Sequence, residues 1–251
     1  MILTIANQKG GVGKTTTAAA LADGLKLKGF KVLLIDLDGQ GNLSYTARAN
    51  TNELTSFEVL HGLATAKQAI QNTEAGQIIA ASPNLAGSDK DLTGAGADKR
   101  LKEALEPIRN EYDFIIIDAP PSLSILTVNA LTAADSLIIT AQADIYSLQG
   151  IGQLYATIRA IQQTTNKGLK IAGILLTRYN ARSILTRDLT EIAEQTAAQL
   201  KTKIFNAKIR EGIAVKEAQA SGQSVLTYSP KSNPAKDYSD FIEEFLGGIK
   251  K

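Results

Sequence analysis

The chain alternates short apolar runs with stretches of helical periodicity. Six runs rich in β-branched residues read as strands: Ile2 to Ala6, Lys31 to Asp36, Gln77 to Ser82, Asp113 to Asp118, Ser136 to Ala141 and Lys170 to Thr177. Several are apolar at nearly every position, the pattern of parallel strands covered on both faces. Between them, apolar residues recur at helical spacing over Lys14 to Lys28, Lys99 to Arg109, Ser124 to Ala133, Leu148 to Thr164 and Ile184 to Gln199. This alternation predicts an α/β fold, a doubly wound and mostly parallel sheet with helices on both faces. No proline- or glycine-rich linker divides the chain, so a single domain over residues 1–251 is expected. Asn50 to Asp98 is the loosest region and reads as short helices and loops around one strand. From Pro234 to Lys251, Tyr238, Phe241, Ile242, Phe245 and Ile249 fall at helical spacing. The opposite face carries Asp237, Asp240, Glu243 and Glu244 where a membrane-surface helix wants Lys or Arg, so this helix is expected to pack on the domain.

Composition removes several chemistries. Among 251 residues there is no Cys, which excludes disulfides, thiolate zinc sites, iron–sulfur clusters and cysteine nucleophiles. The one histidine, His61, sits between Leu60 and Gly62 in an apolar stretch and reads as structural. The start has no basic region before an apolar core, and no run approaches the length of a membrane span, so a cytoplasmic protein is expected.

The strongest chemical signal follows the first strand: Lys9-Gly10-Gly11-Val12-Gly13-Lys14-Thr15-Thr16, then an Ala- and Leu-rich helix. Glycines let successive backbone N–H groups converge on one anion, and the helix N-terminus adds partial positive charge. In such a phosphate cradle Lys14 reaches the β and γ phosphates, and the Thr15 hydroxyl ligates Mg²⁺. The first glycine of the usual pattern falls on Gln8, and a second lysine, Lys9, stands beside it. A cation there serves its own nucleotide or one across an interface.

Carboxylates complete the pattern. The second strand ends in Asp36-Leu37-Asp38, and strand alternation puts both acids on one side, at the end of the sheet where ligands bind. Asp38 is the candidate for positioning the attacking water, and Asp36 and Asp38 are candidates for the metal shell. A third acid, Asp118, closes Phe114-Ile115-Ile116-Ile117 as a Walker B residue holding Mg²⁺ directly or through water. The following Pro120-Pro121 fixes a turn placed to sense the γ-phosphate.

Together, KGGVGKTTT, VLLIDLDGQGNLS and FIIIDAPPSLSILTVNAL resemble the ParA/Soj family of partition ATPases, in the deviant Walker A (ParA/MinD) class of P-loop NTPases. The resemblance covers most of the chain. It implies a Mg²⁺-dependent ATPase of weak intrinsic activity, a homodimer in the ATP state, and Lys9 reaching the partner's ATP. Lys14 and Thr15 would bind phosphate and Mg²⁺, Asp38 would be the hydrolytic carboxylate, and Asp118 the Walker B residue. It also implies nonspecific binding of double-stranded DNA by the ATP dimer, hydrolysis stimulated by a ParB-type centromere-binding protein, and a nucleoid-associated location. Two departures stand out. Gly39 replaces the family's proline in the switch segment, and Ala214 stands where relatives carry an arginine before a Ser-Glu-Ala-Pro-like stretch.

The net charge of +2 conceals an asymmetry. Residues 1–166 carry 13 basic and 16 acidic side chains, and residues 167–251 carry 14 and 9. The C-terminal part from about residue 167 is therefore expected to bear a DNA-contact surface. Its candidates are Arg178, Arg182, Arg187, Lys201, Lys203, Lys208, Arg210, Lys216, Lys231 and Lys236, with Arg182 aligned to a basic DNA-contact position of Soj-like relatives. No base-reading motif accompanies them, so contacts to phosphates are expected. Two related readings use the same loop, a ParA-like ATPase positioning a protein cargo and a MinD-like membrane-associated ATPase.

Overall fold

The computed structural model describes residues 1–180 and 184–249. Seven strands form one sheet: β1 (Ile2–Ala6), β2 (Val32–Asp36), β3 (Ile70–Thr73), β4 (Gly76–Ile79), β5 (Phe114–Asp118), β6 (Ser136–Gln142) and β7 (Lys170–Thr177). Their order is β3-β4-β2-β5-β1-β6-β7, parallel except for the antiparallel β3–β4 edge. The helices are α1 (Lys14–Leu27), α2 (Asn42–Thr46), α3 (Ser56–Leu60), α4 (Ala66–Ala69), α5 (Ser88–Asp91), α6 (Arg100–Leu105), α7 (Ile125–Ala133), α8 (Ile145–Gln163), α9 (Ile184–Gln199), α10 (Ile213–Ala220), α11 (Val225–Tyr228) and α12 (Asn233–Ile249).

Alternate strand residues feed two cores. Ile2, Leu33, Ile35, Ile115, Ile117 and Ile139 join a cluster completed by α6, α7, α8 and α9. Leu3, Ile5, Leu34, Ile116 and Ile138 join a second cluster with α1 and α12. Both sheet faces are thereby covered, which is why the central strands β1, β2 and β5 are apolar at nearly every position. The Ala-rich α1 lets α12 come close. A Cβ at Gly24 would stand 2.3 Å from Ile242 Cδ1. Tyr238, Phe241, Ile242 and Phe245 of α12 are buried there, while Ile249 is exposed. The acidic face is partly structural too, since Asp237 is buried.

The expectation for Asn50 to Asp98 needs correction, because two strands occur there instead of one. Ile70-Gln71-Asn72-Thr73 forms the sheet edge, bonded to β4 on one side. An edge strand carries polar residues and shows little apolar alternation, so its pattern resembles a loop. The Gln77 to Ser82 strand ends at Ile79. The helix expected over Lys99 to Arg109 stops at Leu105 and tightens into a 3₁₀ turn at Glu106–Glu111, where Pro107 removes a backbone donor. The helix expected from Leu148 begins at Ile145, capped by Asp144 accepting from Ser147 N.

Candidate nucleotide site

Strand order brings the acids and the loop together. Asp36 and Asp118 are register partners across β2 and β5, and β5 lies beside β1, with Ile5 opposite Asp118. The loop after β1 therefore rises next to both carboxylates. Gly11 and Gly13 adopt positive φ, 76° and 80°, the left-handed conformation that glycine enters at little cost. They frame a cavity of about 700 Å³ lined by Gly10, Gly11, Gly13, Lys14, Thr15 and Thr16 on one side and by Asp38 on another. Val12 lies outside that lining: its side chain is buried, and its carbonyl accepts from Thr177 Oγ1 at 2.9 Å.

Lys14 is 6% exposed. Burial lowers its pKa, opposed by the charges of Asp118 and Asp38. Its ammonium lies 3.4 Å from the Lys9 carbonyl, folded across the loop. Thr15 Oγ1 donates to Asp118 Oδ2 at 2.6 Å. The other Asp118 oxygen is buried without a hydrogen-bond partner. Burial and the neighbouring Asp36 hold the Asp118 pKa well above the carboxylate range, against the Thr15 bond and Lys14. A hydroxyl, a carboxylate and one orphan oxygen suit a hard cation that takes its remaining ligands from phosphate and water, as Mg²⁺ does. Among the described residues no cluster of three acidic or imidazole groups forms a metal cage of protein ligands alone.

Asp36 serves differently from the expected metal ligand. Its Oδ2 accepts from Ser44 N at 2.8 Å and Ser44 Oγ at 2.7 Å, and its Oδ1 accepts from Asp38 N at 3.0 Å. Burial pushes its pKa up to about 6, partly offset by those donors. It holds the segment between β2 and α2 in place. Asp38 follows in a turn, its Oδ1 accepting from Gln40 N at 3.1 Å, and it faces the cavity. Gly39, where the family's proline is missing, has ordinary φ. A Cβ there would lie 3.4 Å from Ala86 N, so the adjoining 3₁₀ turn backs this segment.

Lys9 points away from the cavity and forms an ion pair with Asp144 at 2.6 Å, both side chains about one-third exposed. Asp144 also caps α8, so the pair ties the phosphate loop to that helix. His61 is structural as expected: its Nδ1 meets the Phe57 carbonyl at 2.8 Å.

Three DNA candidates stand at the nucleotide cavity instead of on a separate face: Arg178, Arg210 and Lys216 line its far wall. Arg210 is locked to Asp237 by its Nε and Nη2, the latter at 2.6 Å from Oδ1. Arg178 faces Glu211 at 3.4 Å and Lys203 faces Glu244 at 3.3 Å. Lys208 sits over the Tyr179 ring. Lys201, Lys231 and Lys236 are exposed and, among the described residues, have no ion-pair partner. Arg182 and the side chain of Arg187 lie outside the described residues.

Several site residues carry no signal that the sequence reading could use. Gln142 Nε2 donates to the Gly11 carbonyl at 2.8 Å, and Gln219 Nε2 donates to Thr16 Oγ1 at 2.9 Å. Buried Tyr238 shares a 3.1 Å hydrogen bond with Thr17 Oγ1 directly behind the loop. Gln219 and Tyr238 lie more than 200 residues from their partners, with nothing local to mark them.

Comparison with known proteins agrees with this geometry. A family profile described as an AAA domain matches residues 1–171. The sporulation initiation inhibitor protein Soj of Bacillus subtilis is 38% identical over 249 residues, 97% of each chain. The chromosome-partitioning ATPase Soj of Thermus thermophilus is 37% identical, covering 99% of this chain and 96% of that one. A solved structure of cobyrinic acid a,c-diamide synthase from Mycobacterium smegmatis, with bound ATP analogue and magnesium, has TM-score 0.85 at 34% identity, covering 100% of this chain and 96% of that chain. Its loop, its three carboxylates and its near-full-length similarity to these relatives place the chain in the ParA/Soj family of chromosome-partitioning ATPases.

Proposed function

We propose that this chain hydrolyses Mg²⁺-bound ATP and uses the nucleotide to switch between a DNA-bound dimer and a released form. One observation carries the reading: Lys14, Thr15 and Asp38 line one cavity at the C-terminal ends of parallel strands, and buried Asp118, from a third segment, accepts from Thr15 behind it. Lys14 and the N–H groups of residues 10–16 bind the phosphates. Thr15 and Asp118 would hold the metal, which when bound neutralises charge on the phosphate oxygens. Asp38 orients the attacking water, and Asp36 holds the segment that carries it. Lys9 leaves Asp144 to reach the nucleotide of a second copy of the chain, so pairing and ATP binding are linked.

The unpaired lysines of residues 167–251 supply nonspecific phosphate contacts on double-stranded DNA, doubled by dimerisation. A ParB-type partner would stimulate hydrolysis and so release DNA, placing the protein on the nucleoid. The whole chain acts as one domain in this scheme. The burial of the α12 apolar face against α1 speaks against the MinD-like reading, since a membrane helix needs that face free. Among the described residues no helix is long and apolar enough to cross a membrane.

The decisive experiment is DNA binding with ATP, with ADP and without nucleotide. Binding in ATP alone supports the switch. Equal binding in all three states rejects it.

A further inference from the structure

We infer that Gln219 is a positioning residue for the nucleotide, aiming the Thr16 hydroxyl into the phosphate cavity. The inference rests on the reading that phosphate occupies that cavity. Gln219 lies near the end of α10, whose Ala214 and Ala218 are buried while Gln219 itself is exposed. Its Nε2 reaches Thr16 Oγ1 at 2.9 Å. An amide nitrogen only donates, whereas a hydroxyl has one proton and two lone pairs. The Thr16 oxygen is therefore the acceptor, and its own proton must turn elsewhere. Thr16 lines the cavity beside Gly13 and Lys14, where an anion needs donors. The proton is thus directed toward the position of a phosphate oxygen.

The residues after Gln219 fix where it stands. The Ala220 carbonyl accepts from Tyr45 Oη at 3.2 Å, and the Ser221 carbonyl from Arg48 Nη2 at 3.3 Å. Gly222 turns at φ 60°, and a Cβ there would press on the Tyr45 carbonyl at 3.3 Å. Tyr45 and Arg48 belong to and follow α2, the helix that Asp36 anchors through Ser44. α10 therefore spans from the phosphate loop to the switch segment, and Gln219 touches the loop side.

The test measures affinity for a fluorescent ATP analogue with Mg²⁺ in the full chain. Q219L keeps an apolar stem of similar bulk, one carbon shorter, and removes the donor, and we expect affinity to fall about 3- to 10-fold, the span of a neutral hydrogen bond. Q219E is nearly isosteric but reverses the polarity. Its carboxylate takes the Thr16 proton and adds negative charge, so it binds more weakly than Q219L. In a T16V background, Q219L causes no further loss. Melting without nucleotide stays close to wild type for each variant, because the side chain is exposed. A packing role gives the opposite order, with Q219E close to wild type. That order, or a Q219L loss that persists in T16V, overturns the inference. A wild-type chain that fails to bind the analogue overturns the phosphate-site reading and this inference with it.

Discussion

The phosphate loop and the C-terminal third both present cations, but they hold them differently. In the loop, Lys14 is buried near Asp38 and Asp118, and its ammonium meets only a backbone carbonyl at 3.4 Å. Of its electrostatic partners, Asp38 lines the same cavity and Asp118 is buried behind Thr15. In the C-terminal third, three candidate cations already have acidic partners: Arg178 with Glu211, Lys203 with Glu244 and Arg210 with Asp237. All three partners are among the nine acidic residues set against 14 basic ones, so pairing removes candidate contacts without changing the net excess of positive charge. Lys14 is poorly satisfied by its own chain, whereas three of the C-terminal cations are neutralised locally. Exposed pairs also contribute little to stability, so their main effect is to neutralise charge.

The sharpest way to break this contrast is Lys14→Ala. Nucleotide affinity should fall at least about 100-fold, since it removes a charge-assisted interaction with phosphate in a dry site. Titration with a fluorescent ATP analogue measures it, and retained affinity would remove Lys14 from the site. Asp38→Ala should keep binding but slow hydrolysis by about 100-fold. The ATP-bound dimer then persists on DNA, visible by size exclusion; a monomer in ATP argues against the role given to Asp38.

Asp36 gives a pH test of the buried side. Its folded pKa of about 6 lies above the ordinary 3.8, so the native state binds more protons than the unfolded chain between those values. Its contribution to stability is present below about 4 and is lost as pH rises toward and through 6. Compared with Asp36→Asn, the nucleotide-free wild type should lose more stability from about pH 4 to 7 in chemical denaturation. Equal slopes would show that Asp36 does not titrate there.

Smaller effects are expected at the C-terminal end. Arg210→Ala removes the guanidinium from buried Asp237 and leaves it the backbone N–H of residue 210, so melting should drop by a few degrees. Lys231→Gln with Lys236→Gln should leave melting unchanged. DNA affinity should weaken a few-fold, with the salt slope falling by about one for each phosphate that is no longer neutralised. If Arg210→Ala instead weakened DNA binding without lowering the melting temperature, the division between paired and free cations would be wrong.

The legible parts of the sequence are those whose chemistry is contiguous. β1 runs directly into Gly10 to Thr16, and β2 and β5 end in Asp36 and Asp118, so spacing alone identifies the loop and the acids. Spacing does not show that Asp36 commits both oxygens to Ser44 and Asp38, because that depends on how α2 turns back. Nor does it show that Arg210 meets Asp237, 27 residues later, or that Gln219 meets Thr16, 203 residues earlier. The β3 edge is illegible because half-exposed polar residues leave no apolar alternation to read.

The packing of α12 on α1 also has a consequence for biosynthesis. The apolar back of the helix that follows the phosphate motif is covered by Tyr238, Phe241 and Ile242, more than 200 residues later in the chain, so they leave the ribosome well after the motif does. The hydrogen bond from Tyr238 to Thr17, just behind the loop, forms only then. While the chain is being made, α1 has an uncovered face and no tertiary packing to stabilise it on that side. A nascent chain therefore carries the motif without the scaffold that shapes it until α12 has emerged and closed over α1.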